Sequence, residues 1–151
     1  MTSTADFDAL IEPYHEALGA IINGDPSGYK SIFSQRDDVT LGNPFGPFGR
    51  GRVEVEERLE LAASKYSGGE LGEFETVSKH VTPELAFLVE VERYRAKVGA
   101  REDASPVALR VTSIFRPEDG VWKLVHRHAD PITDFQPAES VIQPQAGSDS
   151  G

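Results

Sequence analysis

The chain has 151 residues, 38% hydrophobic and 26% charged, an ordinary globular balance for one domain with a real core. Its net charge of −10 at pH 7 argues against binding a phosphate backbone, and Arg50 and Arg52 are followed at once by Glu54, Glu56 and Glu57. With no cysteine, disulfides, thiolate metal sites and cysteine nucleophiles are excluded.

The opening residues lack a basic stretch followed by an apolar run, and no run approaches the ~18 apolar residues of a membrane span. A soluble, cytoplasmic protein with no nucleic-acid and no membrane partner is expected. Phe7, Leu10, Ile11, Tyr14, Leu18, Ile21 and Ile22 fall three or four apart, the stripe of an amphipathic helix. Ser3 and Asp6 predict a capping box before it, and Asn23-Gly24 a stop. Asp25-Pro26 reads as a cap followed by proline at the first helical position, opening a short second helix with Tyr29, Ile32 and Phe33 inward. Val39–Leu41 predicts a short strand. Gly42–Gly51, with four glycines and two prolines, predicts a loop whose only large apolar groups are Phe45 and Phe48. A third helix carries Val55, Leu59, Ala62, Ala63 and Tyr66 on one face and ends at Gly68-Gly69.

The hydrophobic period then changes to two. Strands are expected over 73–81, 84–97, 107–116 and 121–130, joined by tight turns at Thr82-Pro83 and Glu118-Asp119-Gly120 and a looser one over 99–105. From Gln136 the composition is mostly Pro, Gln, Ser and Gly, which predicts a flexible tail over 136–151 after a domain of residues 1–135. Three helices followed by a meander define an α+β chain, a curved antiparallel sheet wrapped around N-terminal helices with a pocket between them.

Three stretches carry a family resemblance. They are Asp119-Gly-Val-Trp-Lys-Leu-Val-His-Arg-His-Ala-Asp130, the preceding Leu109–Arg116, and Phe45-Gly-Pro-Phe-Gly-Arg-Gly51 before the third helix. They resemble the SnoaL-like branch of the nuclear transport factor 2-like superfamily, with its ketosteroid isomerase-like fold, and the order of elements matches over roughly 6–132. The resemblance implies a cone-shaped α+β barrel, often a homodimer packed through the outer face of the sheet. Members include isomerases, polyketide cyclases, dehydratases and epoxide hydrolases, and also noncatalytic binding and assembly modules, so the fold does not choose the reaction. No second carboxylate matches the acid pair of a ketosteroid isomerase.

Strand parity puts Trp122, Leu124, His126, His128 and Asp130 on one face, expected to be concave, and Val121, Lys123, Val125 and Arg127 on the other. Histidine titrates near neutrality and a carboxylate in an apolar pocket has a raised pKa, so Asp130 or His128 is the candidate base. Tyr14, on the stripe of the first helix, is the candidate donor to an enolate oxygen. His126 and Arg110 are candidate orienting groups, Arg110 for a carboxylate, and Asn43, Phe45, Phe48 and Trp122 candidate substrate contacts. A structural reading stands beside each: the histidines donate to backbone or to Asp130, Tyr14 is core, and Asn43 makes a turn with Pro44. His126-x-His128-x-Asp130 shares a face but lacks a further ligand, so no metal and no cofactor are expected. Glu90 and Glu92 share a face with Leu88 and Tyr94 and read as a solvated or interface pair. The sequence thus points to a small-molecule pocket protein, taking an apolar or carboxylate-bearing molecule for cofactor-free proton transfer of the isomerase, cyclase or dehydratase type. The alternative is a noncatalytic ligand-binding or dimerisation module.

Overall fold

The computed structural model describes residues 3–144. The first helix, α1 (Thr4–Ile21), begins where the sequence places it: Ser3 caps it, its side chain accepting from the Asp6 N–H while the Asp6 carboxylate accepts from the Ser3 N–H. Its inward stripe is Phe7, Tyr14, Ala17, Leu18 and Ile21. The short α2 (Ser27–Ile32) follows, with the Asp25 carboxylate accepting from the Ser27 N–H at 2.9 Å; Pro26 sits at the cap position itself rather than inside the first turn. A third helix, α3 (Gly51–Ser64), buries Val55, Leu59, Ala62 and Ala63.

Six strands make one sheet: β1 (Thr40–Asn43), β2 (Gly46–Arg50), β3 (Tyr66–Val81), β4 (Ala86–Val98), β5 (Ser105–Glu118) and β6 (Val121–Asp130). Their order is β2-β1-β6-β5-β4-β3. The sheet is curved but not closed into a barrel, and it is mixed, because β1 pairs parallel to β6 while every other pairing is antiparallel. The Gly/Pro stretch expected to be a loop is a β1–β2 hairpin. The Gly68-Gly69 pair, expected to end α3, lies inside β3, and Tyr66 begins that strand instead of extending the helix face. The reason is close approach. A Cβ at Gly69 would lie 2.3 Å from Ile22 Cγ1, and the Asn23 amide bonds both the Gly69 carbonyl and its N–H at 3.0 Å. The β5–β6 turn has Asp119 at φ 52° and Gly120 at φ 82°, the two positive values a tight hairpin of native twist demands.

The helices cover one face of the sheet, and the buried hydrophobic cluster fills the space between. Of the tail expected to be loose, Ala138–Val141 form a 3-10 helix that buries nothing, and residues 145–151 lie outside the described residues, as do Met1 and Thr2. No helix among the described residues is long and apolar enough to cross a membrane.

Candidate functional site

One irregularity decides which side chains of β6 face inward. From Arg110↔Asp130 to Ile114↔His126 the β5–β6 ladder is regular, but Phe115 pairs with Leu124, leaving Val125 as an extra residue. A bulge of this kind reverses the in/out alternation beyond it. Trp122 and Leu124 are therefore buried, but so are Arg127 and Ala129, two residues of the opposite parity. The concave placement expected for His126, His128 and Asp130 is corrected accordingly. All three stand on the outer face, with Arg110 and Phe48.

On that outer face Thr40 Oγ1 and His126 Nδ1 are 2.7 Å apart, Arg110 Nε donates to Asp130 at 2.8 Å, and His128 Nε2 lies 3.8 Å from the same carboxylate. Phe48 packs against His128, ring centroids 5.5 Å apart, and remains half exposed. Partial burial, helped by His128, holds the His126 pKa below its ordinary value. Burial pulls the Asp130 carboxyl upward, yet the Arg110 hydrogen bond and the Ile132 N–H bring it below the usual value. No group of three or more His, Asp or Glu side chains among the described residues converges as a metal site would require.

The inner face holds a different constellation. Arg127, 5% exposed, donates from Nη1 and Nη2 to the two Glu92 oxygens at 2.9 and 2.7 Å, and Glu92 is 1% exposed. Nη1 also donates to the Tyr14 hydroxyl at 2.7 Å, which is in turn bonded to Ser113 Oγ. The guanidinium lies over the Tyr29 and Tyr14 rings, 5.0 and 5.6 Å from their centroids. Burial opposes its charge, but Glu92 beside it keeps Arg127 firmly protonated. Tyr94 donates to the Tyr66 hydroxyl at 2.7 Å, leaving Tyr66 with its own proton to give. Nearer the surface, His15 Nε2 lies 2.9 Å from each Glu90 oxygen, its ring stacked on Phe74 at 3.6 Å. The acidic pair expected to face solvent or an interface is thus inside, Glu92 bonded to Arg127 and Glu90 to His15.

Beside Arg127 lies a cavity of about 40 Å3. Leu18, Ile21, Leu41, Leu59 and Leu109 give it hydrocarbon walls, and Asn43, Pro44 and Phe45 of the β1–β2 turn also line it. Its polar lining is Asn43, Arg127, Tyr29, Tyr66 and Tyr94. The Tyr29 hydroxyl is buried and has no hydrogen-bond partner. Burial raises the pKa of all three phenols, so each remains a neutral O–H. Asn43 turns the chain, its Oδ1 accepting from the Phe45 N–H at 2.9 Å and its Nδ2 reaching the Arg58 carbonyl. Of the residues singled out in the sequence, the fold brings Asn43 and Phe45 to the cavity. Tyr14 is interior but sits behind Arg127 with its hydroxyl engaged, and Trp122 is far from the cavity, packed on Phe7 with Nε1 donating to the Ser3 carbonyl.

A helix-covered, curved sheet over a small interior cavity is the architecture of nuclear transport factor 2-like proteins, and solved structures of that class match it. An NTF2-like superfamily protein from Salmonella enterica serovar Typhimurium shares 17% identity over 87% of this chain and 94% of its own, with a TM-score of 0.71. One from Streptomyces avermitilis, provisionally named a dehydratase, shares 19% over 87% and 100%, with a TM-score of 0.70. A ketosteroid isomerase-like protein from Erwinia carotovora atroseptica shares 18% over 86% and 96%, with a TM-score of 0.66. At such identities the likeness is one of fold. The family model of the SnoaL-like domain matches residues 8–133, and the chain belongs to that family. No curated protein matches it.

Proposed function

We propose that the chain holds a small, mainly apolar molecule in the interior cavity through a neutral acceptor oxygen. The observation that carries this reading is Tyr29, which lines a mainly apolar cavity and whose buried hydroxyl has no hydrogen-bond partner. An orphaned buried donor is costly, and a ligand carbonyl or hydroxyl oxygen would relieve it. Tyr66 offers a second O–H at the same cavity. Arg127 argues for a neutral ligand over a carboxylate, because Glu92 already neutralises its charge through two hydrogen bonds. A second carboxylate would be buried without a countercharge of its own, which is strongly unfavourable.

About 40 Å3 accommodates a water or two, whereas ligand pockets run to ~300 Å3 or more. Binding of a molecule larger than water therefore requires the cavity to widen. Donors of this kind suit an enolate oxygen as well as a ketone, which keeps a proton-transfer activity of the isomerase, cyclase or dehydratase type within reach of the site. Binding without turnover is the reading better supported. Both Glu92 oxygens are engaged by Arg127, and His128 and Asp130 stand on the outer face.

The test is calorimetry with matched pairs, such as 4-phenyl-2-butanone against 3-phenylpropanoate and 2-octanone against octanoate. The ketones are expected to bind and the acids not. Tyr29→Phe should weaken the ketone by roughly tenfold, the worth of one buried hydrogen bond. Absence of binding by both classes, or a Tyr29→Phe variant that binds as the parent does, would end the proposal.

A further inference from the structure

Strand β5 outruns its partner. The β5–β6 ladder ends at Arg110↔Asp130, whereas the β4–β5 ladder runs on to Ala96↔Ser105. Residues 105–109 therefore pair with β4 on one side and with no strand on the other, a short open stretch of sheet edge. It lies at the cavity. Leu109, on this stretch, and Ala129, the last inward residue of β6, both line the cavity. So does Pro44, which is exposed and places this end of the cavity near the surface. Val107 continues the inward face from Leu109 and is only partly covered, and it pairs with Tyr94, another lining residue.

The segment that leaves β6 fits the open stretch. Continuing the register from Arg110↔Asp130 sets Pro131 opposite Leu109, Thr133 opposite Val107, Asp134 opposite Pro106 and Phe135 opposite Ser105. Parity then turns Pro131, Thr133 and Phe135 inward with Leu109 and Val107, and Ile132 and Asp134 outward. Each direction meets a group that lacks a partner. Phe135 is fully exposed in the structure, and on this path its ring reaches Val107 along the cross-strand diagonal. Asp134 enters the row of Pro106 and Arg95, and Arg95 has no carboxylate partner among the described residues, donating only to the Ala104 carbonyl. One bond holds the segment off this path at its first step, from the Ile132 N–H to Asp130 Oδ1 at 3.0 Å. Pro131 gives the ladder no donor, which the start of an added stretch tolerates.

We propose that residues 131–135 are a strap that continues β6 along the open side of β5 and closes this end of the cavity. In the closed form Pro131, Thr133 and Phe135 lengthen the cavity wall beyond Ala129, while Asp134 meets Arg95 on the other face. Backbone bonds to β5 and the burial of Phe135 replace the single bond between Ile132 and Asp130. A wall that opens and closes gives a molecule larger than water a way in and then shields it. That consequence rests on the reading of the cavity as a site for neutral ligands, whereas the closure itself does not.

The experiment is disulfide trapping in the full chain, which has no cysteine of its own. Thr133→Cys with Val107→Cys is the in-register pair. Thr133→Cys with Ala108→Cys is the control, displaced by one residue and on the opposite face. Under mild oxidation the first pair is expected to close within one chain at least about tenfold faster than the second. Asp134→Lys should slow that closure, and adding Arg95→Glu should restore it. Amide exchange gives a reading without cysteines: residues 132–135 should exchange about tenfold more slowly in the parent than in Phe135→Ser. Circular dichroism confirms that the variants fold. With the ketones, oxidising the first pair should slow association and dissociation at least about tenfold. If no ketone binds, the neutral-ligand reading fails and the trapping still decides the strap. If ketones bind and the trapping fails, the strap alone is wrong. Equal rates for the two pairs, disulfides only between chains, amides that exchange as freely in the parent as in Phe135→Ser, or ketone rates that the disulfide leaves unchanged would overturn the proposal.

Discussion

Replacing Arg127 by methionine removes the cation from a buried pair while keeping much of its hydrocarbon volume. The structure says what is left behind: a Glu92 carboxylate 1% exposed, stripped of both short hydrogen bonds, and a Tyr14 hydroxyl without its donor. Breaking one side of such a pair costs ~3–5 kcal/mol, because the surviving charge stays buried. For a chain of this length each kcal/mol moves the midpoint by ~2–4 °C, so the melting temperature should fall by ~6–20 °C. The double variant Arg127→Met, Glu92→Leu removes the orphaned charge and should recover most of that loss, since apolar replacements of buried ion pairs are often neutral or stabilising. Urea melts followed by far-UV circular dichroism on the parent, both single variants and the double give the coupling energy directly. An Arg127→Met variant that loses less than ~1 kcal/mol, or a double variant that loses the sum of the singles, would refute the reading of Arg127–Glu92 as one electrostatic unit.

Two further outcomes test the rest of the structure. His126 has a folded-state pKa below the ordinary 6.5, chiefly from burial, so the unfolded chain binds the proton more readily. Its contribution is present above the unfolded value and lost as pH falls below it; His126→Asn should therefore lose less stability between about pH 7 and about pH 5 than the parent, and parallel pH curves would contradict this. The depressed Asp130 pKa acts in a separate window, its stabilisation being lost only as pH falls below about 3.8. Deleting Val125 removes the bulge and forces the rest of β6 to choose between its ladder and its faces, either turning Arg127 to solvent or breaking the pairing with β5. Near-UV circular dichroism and urea melts should show the deletion unfolded or lacking fixed tertiary packing. Val125→Ala, which keeps the extra residue, should remain folded; a native-like deletion variant would count against the role given to the bulge.

Much of the architecture is legible in the sequence because it rests on local rules. The stripe from Phe7 to Ile22, the Ser3–Asp6 capping box and the period-two runs after residue 73 each fix an element by short-range chemistry, and the family motif in the last hairpin fixes how they assemble. The site is a different matter. Strand parity is a sound rule only while the ladder is regular, and the residue that breaks it, Val125, is an unremarkable β-branched residue with no glycine or proline to mark a bulge. One extra residue converts a reading of His126, His128 and Asp130 as pocket groups into Arg127 as the buried one. A signal for this was present in Glu92. Its parity with Leu88 and Tyr94 places it inward, and an inward carboxylate demands a cation, which the regular-ladder reading of β6 could not supply. Tyr29 and Tyr66 read as core positions in the sequence; that both line one cavity depends on contacts between elements far apart in the chain.

The same bulge separates two chemistries that a regular strand would have mixed. Inward, it delivers a guanidinium whose charge is cancelled by Glu92, so the cavity offers hydrogen-bond donors without a net field, the condition under which a neutral oxygen is preferred to an anion. Outward, it leaves the two histidines and Asp130 beside Arg110, on a face whose far end keeps Arg95 and Lys97 free of carboxylate partners among the described residues. Which groups of β6 stand inside and which outside thus follows from one added residue in the strand.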